Sequence, residues 1–114
     1  MRQNRVEVTF DLSQKCEWSS NGMGSYKDVR LTSMNGTIVT LKLVSSEDDM
    51  FTLYEKTRKG LRWLWNFAPF WEQNSGPAAA KQPPVAAVKN CRITTRVSNP
   101  CRNDVQFEIK LDNF

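Results

Sequence analysis

The sequence predicts a mainly β fold with one main helix (α+β), an antiparallel β-sandwich or barrel with that helix packed against it. Three observations carry this expectation. Several runs alternate apolar and polar residues with period two, an Asn-Gly pair separates two of those runs, and one stretch carries helix-cap signals at both ends. The chain has 114 residues, the size of one ordinary domain, and a chain of that length buries roughly two-thirds of its unfolded surface. Residues 1–114 are therefore read as a single globular domain that needs neither disulfide nor metal to fold.

The elements follow in order. Val6, Val8 and Phe10 alternate with Arg5, Glu7 and Thr9, the pattern of a half-buried strand over residues 5–10 that can extend toward Trp18. Gly22, Gly24 and Ser25 mark a turn, and residues 28–33 resume the alternation. Asn35-Gly36 then separates this run from Val39, Leu41 and Leu43, which share a face opposite Thr40 and Lys42. Such a pair is a strong hairpin signal because both residues tolerate positive φ. At Ser46 the pattern changes: a capping serine, three acids at Glu47, Asp48 and Asp49, a basic end at Lys56, Arg58 and Lys59, and then Gly60. These signals predict a helix over residues 47–59, with Met50, Phe51, Leu53, Tyr54 and Thr57 as its buried stripe.

Residues 61–67 alternate Leu61, Trp63, Trp65 and Phe67 against Arg62, Leu64 and Asn66, as a strand buried on both faces would. Pro69 ends it, and residues 70–73 can add one helical turn. A Ser, Gly, Pro and Ala stretch over residues 74–84 reads as a mobile internal loop. Ile93, Thr95 and Val97 alternate next. A turn sequence containing Asn99, Pro100, Cys101 and Arg102 leads to Val105, Phe107, Ile109 and Leu111 on one face of a last strand. The chain closes on an antiparallel hairpin.

Composition narrows the function. There is no histidine, so histidine-based acid-base catalysis, catalytic triads and histidine-containing zinc sites are excluded. Cys16, Cys91 and Cys101 are an odd set without CxxC spacing and read as reduced thiols. Glu47, Asp48 and Asp49 lack the glycine-bearing loop of alternating oxygen ligands that a calcium site needs. The expectation is a protein that is not an enzyme, with no catalytic, cofactor-binding or metal residues, no cofactor and no small-molecule substrate. No apolar run approaches the ~18 residues of a spanning helix, and no secretory leader pattern is present. A cytoplasmic protein without membrane contact is expected.

Sixteen basic against twelve acidic residues leave a net charge of +4, too modest to select nucleic acid by charge alone. Trp63, Trp65, Phe67, Phe70 and Trp71 lie among Arg58, Lys59 and Arg62, a mixture that can stack on unpaired bases. The alternative function is therefore a single-stranded nucleic-acid-binding barrel domain. Core packing explains the alternating aromatics better, so nucleic acid is not expected to be the principal ligand. Trp71, beyond Pro69, is the candidate exposed aromatic.

The order of Val29-Arg30-Leu31-Thr32, Leu43-Val44-Ser45-Ser46-Glu47-Asp48-Asp49, Gly60-Leu61 and Phe67-Ala68-Pro69 is similar to that of a known family. So is Val97-Ser98-Asn99-Pro100-Cys101 running into Val105-Gln106-Phe107-Glu108-Ile109-Lys110-Leu111. Together they resemble the N-terminal head domain of the centriolar cartwheel (spindle assembly abnormal) family, which shares a superfamily with the heads of DNA-end-joining scaffold proteins. The resemblance implies a β-sandwich head acting as a structural protein-interaction module in centriole, basal-body, flagellar or apical cytoskeletal assembly. It implies that protein partners are met through the hairpin turn of Asn99, Pro100, Cys101 and Arg102. The family's turn carries a phenylalanine knob where this chain has Cys101, so self-association through the head is expected to be weak. No heptad array follows, so the likeness is to the head alone or to a short cartwheel-like relative that lacks the coiled coil.

Overall fold

The computed structural model describes residues 5–22, 24–46, 50–68, 87–98 and 105–114. They form nine strands in two antiparallel sheets: β1 (Arg5–Asp11), β2 (Ser19–Asn21), β3 (Gly24–Thr32), β4 (Ile38–Ser45), β5 (Phe51–Thr57), β6 (Gly60–Phe67), β7 (Ala87–Val88), β8 (Cys91–Ser98) and β9 (Gln106–Asp112). The four-stranded sheet has the order β1-β9-β8-β7, and the five-stranded sheet is the meander β2-β3-β4-β5-β6. The sheets do not close into a barrel, and the mainly β expectation holds in its two-sheet form.

Alternation places the core. Phe10 of β1, Phe107, Ile109 and Leu111 of β9 and Ile93 of β8 point inward from one sheet; Leu41, Leu43, Phe51, Leu53, Trp65 and Phe67 do so from the other. The Phe107 ring lies 4.5 Å from Phe67, 5.8 Å from Trp65 and 6.0 Å from Phe10, centroid to centroid, which locks the two layers together. Fully burying a side chain of this size contributes about 1.5–3 kcal/mol. A 3-10 segment, Leu12–Glu17, carries the chain from β1 to the other sheet. Asp11 starts it by accepting the Ser13 N–H at 3.0 Å. Trp18 follows and meets Phe10 and Phe51 edge-on.

The expected hairpins are present. β3 and β4 pair from Ser25 opposite Ser45 to Thr32 opposite Ile38, and β8 and β9 pair from Arg92 opposite Asp112 to Ser98 opposite Gln106. The turn at Asn35-Gly36 differs from expectation in detail, since only Gly36 takes positive φ, at 87°. Asn35 works through its side chain instead, its Oδ1 accepting from the Thr37 N–H at 3.2 Å and from the Thr37 and Ser33 hydroxyls.

The helix expected over residues 47–59 is absent from the described part of that span, residues 50–59. Residues 47–49 lie outside the described residues, and most of the remainder is strand β5, hydrogen-bonded to β4 on one side and β6 on the other. Among the described residues there is no α-helix. Phe51, Leu53 and Glu55 point in while Thr52, Tyr54 and Lys56 point out, a period-two reading that the helical stripe concealed. Both cap signals serve other turns. The Ser46 N–H and hydroxyl bond the Met50 carbonyl at 2.8 and 3.2 Å, closing the β4–β5 connection. Gly60 takes φ of 117° where Arg58 and Lys59 turn the chain into β6, a conformation that a β-branched residue resists. The turn at residues 70–73 and the loop at 74–84 lie outside the described residues, as do Asn99, Pro100, Cys101, Arg102 and Trp71.

Candidate functional site: the outer face of the five-stranded sheet

A register shift in β6 decides what the five-stranded sheet shows to solvent. Phe51 pairs with Phe67 and Leu53 with Trp65, but the next residue of β5, Tyr54, pairs with Trp63. Leu64 is therefore the extra residue of a β-bulge, and a bulge reverses which face later side chains reach. Trp65 and Phe67 enter the core and Leu64 is fully buried, whereas Trp63 is 43% exposed and Leu61 39%. The expectation of Trp63 and Leu61 on the same face as Trp65 is corrected by that single residue.

Pairing then arranges the outer face in rows. Asp28, Lys42, Tyr54 and Trp63 form one; Tyr26, Val44, Thr52 and Asn66 lie beside it on one side; Arg30, Thr40, Lys56 and Leu61 lie on the other. Ile38 of β4, opposite Thr32, is a further exposed apolar side chain on the same face, 39% exposed. The side chains hold one another in place. The Trp63 Nε1–H donates to Asn66 Oδ1 at 2.9 Å, fixing the indole. Lys42 Nζ sits 4.2 Å from the Tyr26 ring centroid, a cation–π distance. Lys56 Nζ meets Asp28 Oδ2 at 3.1 Å. Arg30, Lys42 and Lys56 face a single acid, Asp28, and the β5–β6 turn adds exposed Arg58 and Lys59 at the end of the face. The Thr57 hydroxyl shapes that turn, donating to the Gly60 carbonyl at 2.8 Å and accepting the Lys59 N–H at 3.2 Å.

At the β2–β3 margin a cleft of about 460 Å³ opens beside the face, lined by Asp11, Gln14, Glu17, Trp18, Ser19, Tyr26, Lys27 and Asp28. Its carboxylates are dispersed: among the described residues no group of three or more His, Cys, Asp or Glu is placed to hold a metal ion. Beneath the sheet, buried Glu55 receives Arg62 Nη1 at 3.0 Å at the margin of the core.

The opposite sheet shows a different exterior. Arg5, Glu7, Thr9 and Asp11 of β1, Gln106, Glu108, Lys110 and Asp112 of β9, and Arg92, Thr94 and Arg96 of β8 point outward. Four cations stand among four acids. Arg5 pairs with Asp112 at 2.8 Å, and Lys110 lies 3.2 Å from Glu108 and 3.9 Å from Glu7. The hydrogen bond to Asp112, then its charge, raise the Arg5 guanidinium above its ordinary pKa.

Sequence reasoning identified Trp63 but placed it inside, set Lys42 correctly on the face opposite Leu41 and Leu43, assigned Tyr54 to the buried stripe of a helix, and did not single out Tyr26. The available signal was the alternation of Tyr54 against Phe51 and Leu53. Cys91 is buried with its thiol near the Lys89 and Asn113 carbonyls, a packed thiol. Comparison with protein-family models, curated proteins and solved structures returns no match. Fold and surface together define a class: a two-sheet antiparallel β protein with one self-neutralised outer face and one aromatic, basic outer face.

Proposed function

We propose that this chain is a non-enzymatic interaction module that docks a macromolecular partner on the outer face of its five-stranded sheet. The observation that carries this is the joint exposure of Ile38, Leu61 and Trp63 on one sheet face, bordered by Tyr54, Lys42, Lys56 and Arg30. Interface cores favour aromatics and arginine, and exposed apolar patches mark binding surfaces. The resemblance to the cartwheel head adds an assembly context to this reading: a cytoplasmic building block of centriole, basal body, flagellum or apical complex, meeting protein partners through Asn99, Pro100, Cys101 and Arg102. The two-layer β architecture, Phe67-Ala68-Pro69 and the last alternating strand support that context, while the absence of a helix over residues 50–59 removes one of its motifs.

The test compares two surface variants. Leu61→Ser with Trp63→Ser alters the proposed face, and Thr94→Lys alters the opposite one; far-ultraviolet dichroism and melting establish that each variant is folded under the assay conditions. Partners retained by the wild type and by Thr94→Lys, and lost from the double variant, are the expected result. Retention by the double variant together with loss from Thr94→Lys would place the docking surface on the other sheet. Sedimentation over a wide concentration range identifies the case in which the partner is a second copy.

A further inference from the structure

Resting on the reading of this face as a docking surface, we infer that its ligand is a single-stranded nucleic acid, with bases stacked on Trp63 and Tyr54 and phosphates met by Lys42, Arg30 and the Arg58-Lys59 turn. Four observations converge on that ligand. Tyr54 and Trp63 are directly opposite each other on adjacent strands, with Trp63 43% exposed. Side chains directly opposite on adjacent strands stand within reach of each other, and two aromatic rings so placed on an outer face offer π-faces to bases irrespective of sequence.

The indole is also preorganised. Its N–H is already bound to Asn66 Oδ1 at 2.9 Å, so the ring needs no new polar partner when a base covers it, and little rotamer freedom is lost on binding. Charge is the third observation. Of the four charged residues in the three rows, only Asp28 is acidic, and it is paired with Lys56 at 3.1 Å. That leaves Lys42, next to Tyr54 and seated over the Tyr26 ring, Arg30 on β3 across strand β4 from Lys56, and Arg58 and Lys59 at the β5–β6 turn, a basic border suited to a phosphate backbone.

Shape is the fourth. A sheet face is broad and shallow, which suits splayed bases of a single strand better than the rigid cylinder of a duplex. The opposite face, with its four acids and no outward aromatic among the described residues, provides neither stacking nor an unbalanced positive field. Expectation from sequence set nucleic acid aside on the modest net charge of +4 and because Trp63 and Trp65 were both placed in the core. The bulge at Leu64 removes that argument for Trp63 and leaves it in force for Trp65.

The experiment titrates the whole chain with fluorescently labelled oligothymidylate and oligouridylate of about 12 nucleotides, a length within the reach of one such binding site, and with a duplex control. Binding to single strands over duplex is expected. Trp63→Ala should weaken it about tenfold or more, and Trp63→Phe should retain most of it while removing the ligand-induced quenching of tryptophan emission. Lys42→Gln with Arg30→Gln should reduce the slope of log affinity against log salt by about 1.4, at about 0.7 for each single-strand phosphate that is no longer neutralised. Arg96→Glu, on the opposite face, should change the affinity far less than Trp63→Ala.

Three results overturn the inference. Affinity indifferent to Trp63→Ala and abolished by moderate salt would be general phosphate attraction. Equal preference for duplex would exclude stacking on the two rings. No single-strand binding at low salt would exclude nucleic acid altogether; if Leu61→Ser with Trp63→Ser still abolishes partner capture, the face stands with a protein occupant. If neither assay responds to Trp63, the docking surface itself is refuted.

Discussion

The two outward faces of this sandwich rest on the same core and obey the same alternation, yet they differ in what occupies the outward positions. On the four-stranded sheet, Arg5 is answered by Asp112 and Lys110 by Glu108 and Glu7. Water and salt screen such exposed pairs, so each contributes little, and this lattice owes more to solubility than to stability. On the five-stranded sheet, Ile38, Leu61 and Trp63 leave apolar surface in water, and covering it with a partner recovers about 25 cal/mol per Å². A face whose cations and acids balance in number presents no net charge to a partner; a face that keeps apolar and cationic groups together is stabilised by one.

Phe107→Ala is expected to have the largest effect, because it removes the ring that touches Phe10, Trp65 and Phe67. The cost should be about 3–5 kcal/mol. Urea unfolding followed by tryptophan emission and by far-ultraviolet dichroism should give coincident transitions, since both faces stand on this contact. Separate transitions would mean that the sheets are independent units and the comparison is between two domains.

Gly24→Ala should damage one side selectively. Gly24 has φ of 117°, and a Cβ there would lie 2.4 Å from the Ser45 carbonyl oxygen. With a rigid backbone atom in the way, the β3–β4 pairing must shift, at a cost of about 2–3 kcal/mol. Hydrogen exchange should accelerate in β3 and β4 more than in β8 and β9; uniform acceleration would contradict the local account.

A smaller loss, on the order of 1–2 kcal/mol, is expected for Arg62→Ala, which leaves the buried Glu55 carboxylate without its cation. Solvent around the Arg62 side chain, 47% exposed, keeps the loss below that of a fully buried pair. Adding Glu55→Gln should recover part of the loss in a double-mutant cycle, and an additive cycle would show that the pair does not interact. The smallest effect belongs to Lys110→Ala, which removes a shared partner of Glu7 and Glu108 on the neutralised face. Its change in melting should correspond to less than about 0.5 kcal/mol, with oligonucleotide binding preserved.

Most of the sheets was legible from alternation alone. Val6, Val8 and Phe10, Leu41 and Leu43, and Phe107, Ile109 and Leu111 read as strands, and each strand pairs as its pattern requires. The site was legible only in part. Trp63 drew notice as an aromatic among cations but was placed with Trp65, because a bulge has no side-chain signature in a run where both neighbouring phases are apolar. Leu64 could belong to either face, and only the pairing of Tyr54 with Trp63 shows which.

What the sequence by itself determined is the β character, the final hairpin, the β3–β4 hairpin and the exclusion of histidine chemistry, all set by local periodicity or composition. What tertiary structure decided is the state of residues 51–57 and the face on which Trp63 stands. Ser46, the acids after it and Gly60 are helix signals worth about 1 kcal/mol or less each. As strand β5, the same segment fills the gap between β4 and β6, satisfies backbone groups on both edges and buries Phe51 and Leu53 completely. Long-range pairing and burial outweigh capping there, and neither can be read from the segment's own residues because the partners that supply them lie in other strands.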